Sequence, residues 1–200
     1  MNWKLLIFIA LISYGGYNYL SNRPVAYVGN PANSLAPNQT NIQQNGVSAA
    51  EFKHNGYTIK PLQNIELTAR VLSTEHYAFD READLAKVDL ALGWGPMSDD
   101  AILKQIDISQ SNRFYYWHVE SFPIPREEIE SNSANMHMVA ANQQIEKTLK
   151  NIKPGQSVKI SGYLIEARAN DGWHWKSSLS RHDTGAGACE LVYVNALVIN

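Results

Sequence analysis

The sequence contains one cysteine, Cys189, in 200 residues. That excludes an intramolecular disulfide framework and a zinc site of the CxxC type. It also leaves no lipobox cysteine near the N-terminus, so a lipid anchor is excluded. Acidic residues are missing from the first 50 positions, where Lys4 and Arg23 are the only charged side chains. A basic excess is missing too: 17 Lys and Arg stand against 19 Asp and Glu. Nucleic-acid binders usually carry such an excess, because phosphate contacts dominate their affinity. The balance is uneven along the chain. Residues 51–146 hold 8 basic and 15 acidic side chains, whereas 147–181 hold 7 and 2. Nucleic acid therefore stays a distant third reading. No internal repeat is present, and no stretch spells a catalytic or cofactor motif, so no cofactor is expected. His174, His182, Asp183 and Cys189 lack a spacing that delivers tetrahedral ligands, and no metal site is expected.

Long apolar runs are scarce, and the one that matters comes first. Leu5 to Tyr14 is free of charge and follows Lys4. Trp3 at one end, with Tyr17 and Tyr19 at the other, has the aromatic pattern of two membrane interfaces. Residues 1–20 are therefore expected to be an N-terminal transmembrane anchor. The alternative is a signal peptide, with Ser13-Tyr14-Gly15 as a poor cleavage site. Residues 21–50, rich in Asn, Gln, Pro and Ser, offer little to bury and read as a flexible linker. A chain of that size spans roughly 30 Å, enough to hold a domain clear of a bilayer.

Residues 51–200 read as one globular β-rich domain. With 44% hydrophobic residues over the whole sequence, a substantial core is available. Tyr57–Lys60 and Ile65–Leu72 alternate with period two, as half-buried strands do, and Pro61 stands between them. Lys87–Leu92, Arg113–Val119, Ser157–Ala169, Trp173–Leu179 and Cys189–Ile199 are further strand candidates. Glycines flank Trp94, as in a tight turn capped by a packed indole or a backbone held close to a ligand. Ser98 is placed as the N-cap of a short helix, Arg126–Glu130 as a helical turn and Asn142–Asn151 as a helix. Asn170-Asp171-Gly172 supplies hairpin-turn chemistry. The expected fold is α+β and mostly β. It is a small, antiparallel, partly open, OB-like β-barrel with two or three short helices, besides the membrane helix.

The stretch from Asp171 to Val194 concentrates the functional candidates. Trp173 and Trp175 share one face of a strand, where aromatic rings can stack on sugars, bases or a partner's side chains. Arg181, Asp183 and Thr184 supply polar contacts. Gly185 and Gly187 let backbone amides approach a ligand. Packed indoles filling a small barrel are the competing account of the tryptophan pair. An enzymatic alternative joins Cys189 to His137 or His182, with Arg181 or Asp183 as orienting group, in a thiol hydrolase or transpeptidase arrangement. Against it, free cysteine is among the most buried residue types. The order of a membrane anchor, a β-barrel with a histidine and then a cysteine is loosely similar to sortase-type transpeptidases. Here, however, no TLxTC block precedes the cysteine and no arginine follows it.

Four blocks carry a further resemblance: ALGWGPMSD (91–99), ISQSNRFYYW (108–117), SANMHM (133–138) and SSLSRHDTGAGACELVYV (177–194). On these the chain resembles a family of short bacterial proteins that begin with a hydrophobic segment and have no assigned activity. The resemblance covers about residues 57–195 and implies a bacterial envelope protein. The expectation is a single-pass protein of the inner membrane, held through residues 3–20, with its domain on the periplasmic side. It binds a protein partner or an envelope polymer, and the thiol enzyme acting on envelope peptides is the alternative.

Overall fold

The computed structural model describes residues 12–15, 40–41, 49–180 and 188–199. Residues 12–15 are helical. No helix among the described residues is long and apolar enough to cross a membrane. The expected anchor and linker otherwise lie outside the described residues, apart from strand β1 (Thr40–Asn41) and residues 49–50.

The described part is mostly β with few helices. Strand β2 (Phe52–His54) turns through Asn55-Gly56, both at positive φ, into the 20-residue strand β3 (Tyr57–His76). The sequence reads two strands here because Pro61 cannot donate a ladder hydrogen bond. The chain instead skips one pairing between Pro61 and Gln63 and continues. Such a bulge is where a strand tolerates proline and bends. A second register shift lies between Val71 and Ser73, where β3 begins to pair mainly with β4 (Val88–Gly93).

The insertion from Trp94 to Asn132 follows. It contains a 3-10 turn (Gly95–Ser98), helix α1 (Asp100–Leu103), the hairpin of β5 (Asp107–Ser111) with β6 (Phe114–His118), and helix α2 (Arg126–Ser131). Trp94 caps the 3-10 turn and is buried, as expected of a packed indole. The N-cap of α1 is Asp99 rather than Ser98, because the Asp99 side chain accepts from the Ala101 amide. The Ser98 hydroxyl is committed instead to the Gly95 carbonyl, 2.7 Å away.

Strand β7 (Ser133–Ala140), helix α3 (Gln143–Lys150), β8 (Ser157–Arg168), β9 (His174–Lys176) and β10 (Glu190–Ile199) complete the fold. Pairing runs β3–β4–β7–β10–β8 and returns from β8 to β3, so the sheet is partly ring-like. Every contact in that cycle is antiparallel except β7 with β10. All five strands send alternate residues to one shared cluster, among them Leu67, Leu90, Met138, Ile160 and Val192. Ile145 and Leu149 of α3 join it. Each such aliphatic side chain contributes about 1.5–3 kcal/mol by leaving water. Gly162 lies opposite the register shift in β10, and any side chain there would strike the Tyr193 carbonyl.

The opposite face of the ring carries a second cluster. Ile59, Ile165, Val139, Leu191 and Tyr193 lie there under Leu85, Trp173 and Trp175. A third cluster, around Met97, Ile106 and Ile129, binds the insertion together.

Candidate binding cleft

The hairpin is positioned by its turn. Asn112 and Arg113 both adopt positive φ, 51° and 69°, which closes a two-residue connection between paired Ser111 and Phe114. This is the primed turn geometry whose twist matches a hairpin, and it favours Asn at the first position. The turn delivers the Arg113 side chain to the outer face of β4. Its Nε and one terminal nitrogen hold Asp80 at 3.0 and 2.7 Å. The other terminal nitrogen reaches Asp89 at 2.9 Å and the Ala86 carbonyl at 2.8 Å. The guanidinium also lies 3.6 Å from the centre of the Tyr77 ring, whose hydroxyl accepts from the Arg113 amide. Burial works against the Arg113 charge, but the two carboxylates outweigh it and raise its pKa. The Tyr77 phenol, pushed up to about 12 chiefly by burial, stays neutral.

Asp89 has no exposed surface, and its second oxygen faces His137 Nδ1 at 2.9 Å. Those two atoms have no other hydrogen-bonding partner. The pair follows from register, since Asp89 stands directly opposite His137 on the neighbouring strand. One row along, the Asn135 amide group donates to the Arg113 carbonyl at 2.9 Å, and its oxygen accepts from Gln110 at 2.7 Å. Tyr115 and Ser133 share a hydroxyl contact of 2.6 Å. The hairpin is thus seated on β4 and β7 by directional polar contacts.

Beside this seat lies a cleft of about 580 Å³, within the usual range for ligand pockets. Residues 114–119 and Phe122 form its aromatic wall, and Arg126 and Glu130 of α2 lie along it. Ser133, Ala134 and Asn135 face them, with Ser180 and residues 188–190 completing the described lining. Phe114, Tyr116 and Phe122 are exposed.

The expected site residues fall in different places. Trp173 and Trp175 do share a side, with His174 and Lys176 exposed on the other. The two indoles meet edge-on with centroids 6.3 Å apart. Both are half-buried in the outer apolar cluster, and neither lines the cleft. Trp173 packs on Tyr57 and under Arg81, while Trp175 packs on His137 at 4.7 Å. Cys189 lies in the cleft wall, half-buried, its sulfur 3.8 Å from the Arg113 carbonyl and 4.0 Å from the Asn135 amide nitrogen. Arg181, His182, Asp183, Thr184, Gly185 and Gly187 lie outside the described residues. Among the described residues, no group of three or more His, Cys, Asp or Glu side chains could hold a metal ion.

Sequence reasoning missed Asp89, Arg113, Asn135 and the aromatic edge. One signal was available for the first. Asp89 is the single charge in VDLALG, a strand buried throughout, and a buried carboxylate requires partners. No protein-family model, curated protein or solved structure matches the chain.

Proposed function

We propose that the protein is a binding module of the bacterial envelope, whose cleft beside the β5–β6 hairpin takes a protein partner or an envelope polymer. The observation that carries this reading is the cleft. Exposed aromatic side chains line one wall, polar groups line the other, and the hairpin that carries the aromatic wall is seated by the ion pairs of Arg113 with Asp80 and Asp89. The reading of the ring as a small OB-like barrel is supported by the pairing order β3–β4–β7–β10–β8 and by α3, which precedes the fourth ring strand. Residues 3–20 tether this body to the inner membrane, with the domain in the periplasm; their composition supports that placement. Membrane fractionation with protease protection tests it, and a full-length chain recovered free of membranes would remove it.

Binding itself is tested on the full-length protein with muropeptides, chitin oligosaccharides and a random peptide library, followed by tryptophan emission. Tyr116→Ala and Phe122→Ala, both exposed, are expected to weaken binding about tenfold each, the loss of about 1.4 kcal/mol typical of a moderate anchor. Phe79→Ala is the control, since Phe79 is 97% exposed and does not line the cleft. Equal effects of all three would remove the cleft from the account.

The thiol enzyme is retained as a second reading by one observation, the place of Cys189 in the cleft wall. Its geometry is unfavourable, because His137 is buried against Trp175 and does not line the cleft that holds Cys189. A thiolate nucleophile reacts with iodoacetamide within minutes near neutral pH in the folded protein. Silence until denaturation would leave the binding module alone.

A further inference from the structure

Six successive residues, 114–119, line the cleft, and so do the successive residues Ser133, Ala134 and Asn135. A strand that offers its face to a cavity contributes every second residue, so consecutive residues mean that the cleft runs along strand edges. The hairpin register says which groups point there. Ser111 and Phe114 flank a two-residue turn and form a hydrogen-bonded pair, so the alternate residues Tyr115 and Trp117 direct their amide and carbonyl groups away from β5. Among the described residues, no backbone hydrogen bond outside the hairpin reaches either of them. Across the cleft, Ser133–Asn135 pair with β4, and the parallel partner β10 begins only opposite Met136. The cleft is a gap between two strand edges.

Its charge narrows the occupant. The one cationic side chain among the described lining is Arg126, which is already paired with Glu130 at 2.8 Å. Glu190 adds a further carboxylate to the wall. A polyanion finds no free counter-charge in this lining. The Trp117 indole is not open for stacking on a sugar, because it meets Phe122 at a steep angle with centroids 6.1 Å apart and has the Arg126 guanidinium 5.7 Å over it. An extended main chain, by contrast, has the alternating donors and acceptors to match the Tyr115 and Trp117 backbone groups, which no strand among the described residues pairs on that side.

We infer that the cleft takes an extended, neutral or cationic segment of a partner polypeptide, which adds as a strand to the open edge of β6. This rests on the reading of the cleft as the binding site. Main-chain pairing supplies the affinity, and alternate side chains of the segment meet the aromatic wall, as in other strand-addition complexes. A five-residue strand such as β6 is about 17 Å long, so a segment of about five residues suffices.

The test uses the isotopically labelled full-length protein and a library of eight-residue peptides, with chitin oligosaccharides and a single-stranded oligonucleotide as the other arms. The tightest peptide is then N-methylated at each position in turn. Alternate methylations are expected to weaken binding about tenfold, the intervening ones less than about threefold, since one lost hydrogen bond and a steric clash fall on every second residue. The Tyr115 and Trp117 amides are expected to become protected from exchange. A methylation profile without alternation, or unprotected amides, overturns the strand model. Binding of the sugar or the oligonucleotide without any peptide overturns it too, while sparing the cleft as a site. If no probe binds, the site itself falls.

Discussion

Two neighbours on β4 face opposite worlds. Leu90 enters the enclosed face of the ring, among residues contributed by all five strands and by α3. Asp89 points outward to Arg113 and His137, under the hairpin. Both are fully buried. The inner cluster is held by apolar burial, which is non-directional and tolerates exchange of shape. The outer seat is held by a few bonds of fixed length, and a buried carboxylate without them would be intolerable. The first arrangement makes a body that folds. The second makes a particular strand edge stand at a particular place.

Removing the carboxylate is the sharpest way to break that contrast. Asp89→Ala is expected to cost about 3–5 kcal/mol, because it strands a buried imidazole and takes one of two carboxylates from Arg113. Leu90→Ala is expected to cost about 2–5 kcal/mol by leaving a cavity. Urea titration gives both totals, and amide exchange separates them. Asp89→Ala should speed exchange in Phe114–His118 beyond the global change, whereas Leu90→Ala should not. If both variants loosen the hairpin equally, the two regions are one cooperative unit and the distinction is lost.

Arg113→Lys is the intermediate test, with an expected loss of about 1.5–3 kcal/mol. An ammonium retains the charge but cannot span Asp80, Asp89 and the Ala86 carbonyl at once. Acid should act on the same seat. Burial opposes ionisation of Asp80, but the Arg113 hydrogen bond and charge win and hold its pKa below the ordinary value. A depressed carboxyl pKa contributes stability above the unfolded value, near 4, that is lost as pH falls through the folded value. Glu75 runs the other way. Its pKa is raised, by burial first and by Asp89 second, so its penalty on the folded state appears as pH climbs past the ordinary carboxyl range. Hairpin exchange rates, taken relative to the intrinsic rate at each pH, should therefore hold steady from neutral pH to about 5 and rise below about 4. In Asp80→Asn that acid-dependent rise should shrink.

Much of this body was legible beforehand. Period-two runs marked β3 and β8, Asn142 marked the start of α3, and the apolar C-terminal run marked β10. The tight turn around Trp94 could be read from its flanking glycines. What escaped was non-local. Pro61 looked like a break because a bulge is invisible until the partner strand is placed. Asp89 looked like one acid in an apolar run, and Arg113 like the start of a strand. Their meeting depends on a two-residue turn folding 24 positions of chain back onto β4. The tryptophan pair drew attention because aromatic side chains announce themselves in a sequence. A strand edge is made of backbone and has no letter of its own.

The gentlest probe asks whether the seat is a network or a set of separate ties. Tyr115→Phe deletes the hydroxyl that meets Ser133 at 2.6 Å and leaves the ring in place. Ser133 keeps its bond to the Ile129 carbonyl, also 2.6 Å, so no donor there is left bare. The expected cost is about 0.5–1.5 kcal/mol, the net worth of one such hydrogen bond. Combined with Arg113→Lys, the losses should exceed or fall short of simple addition if Asn135, which binds Arg113 beside Ser133, couples the two contacts. Strict additivity in a double-mutant cycle would mean that each bond seats the hairpin independently.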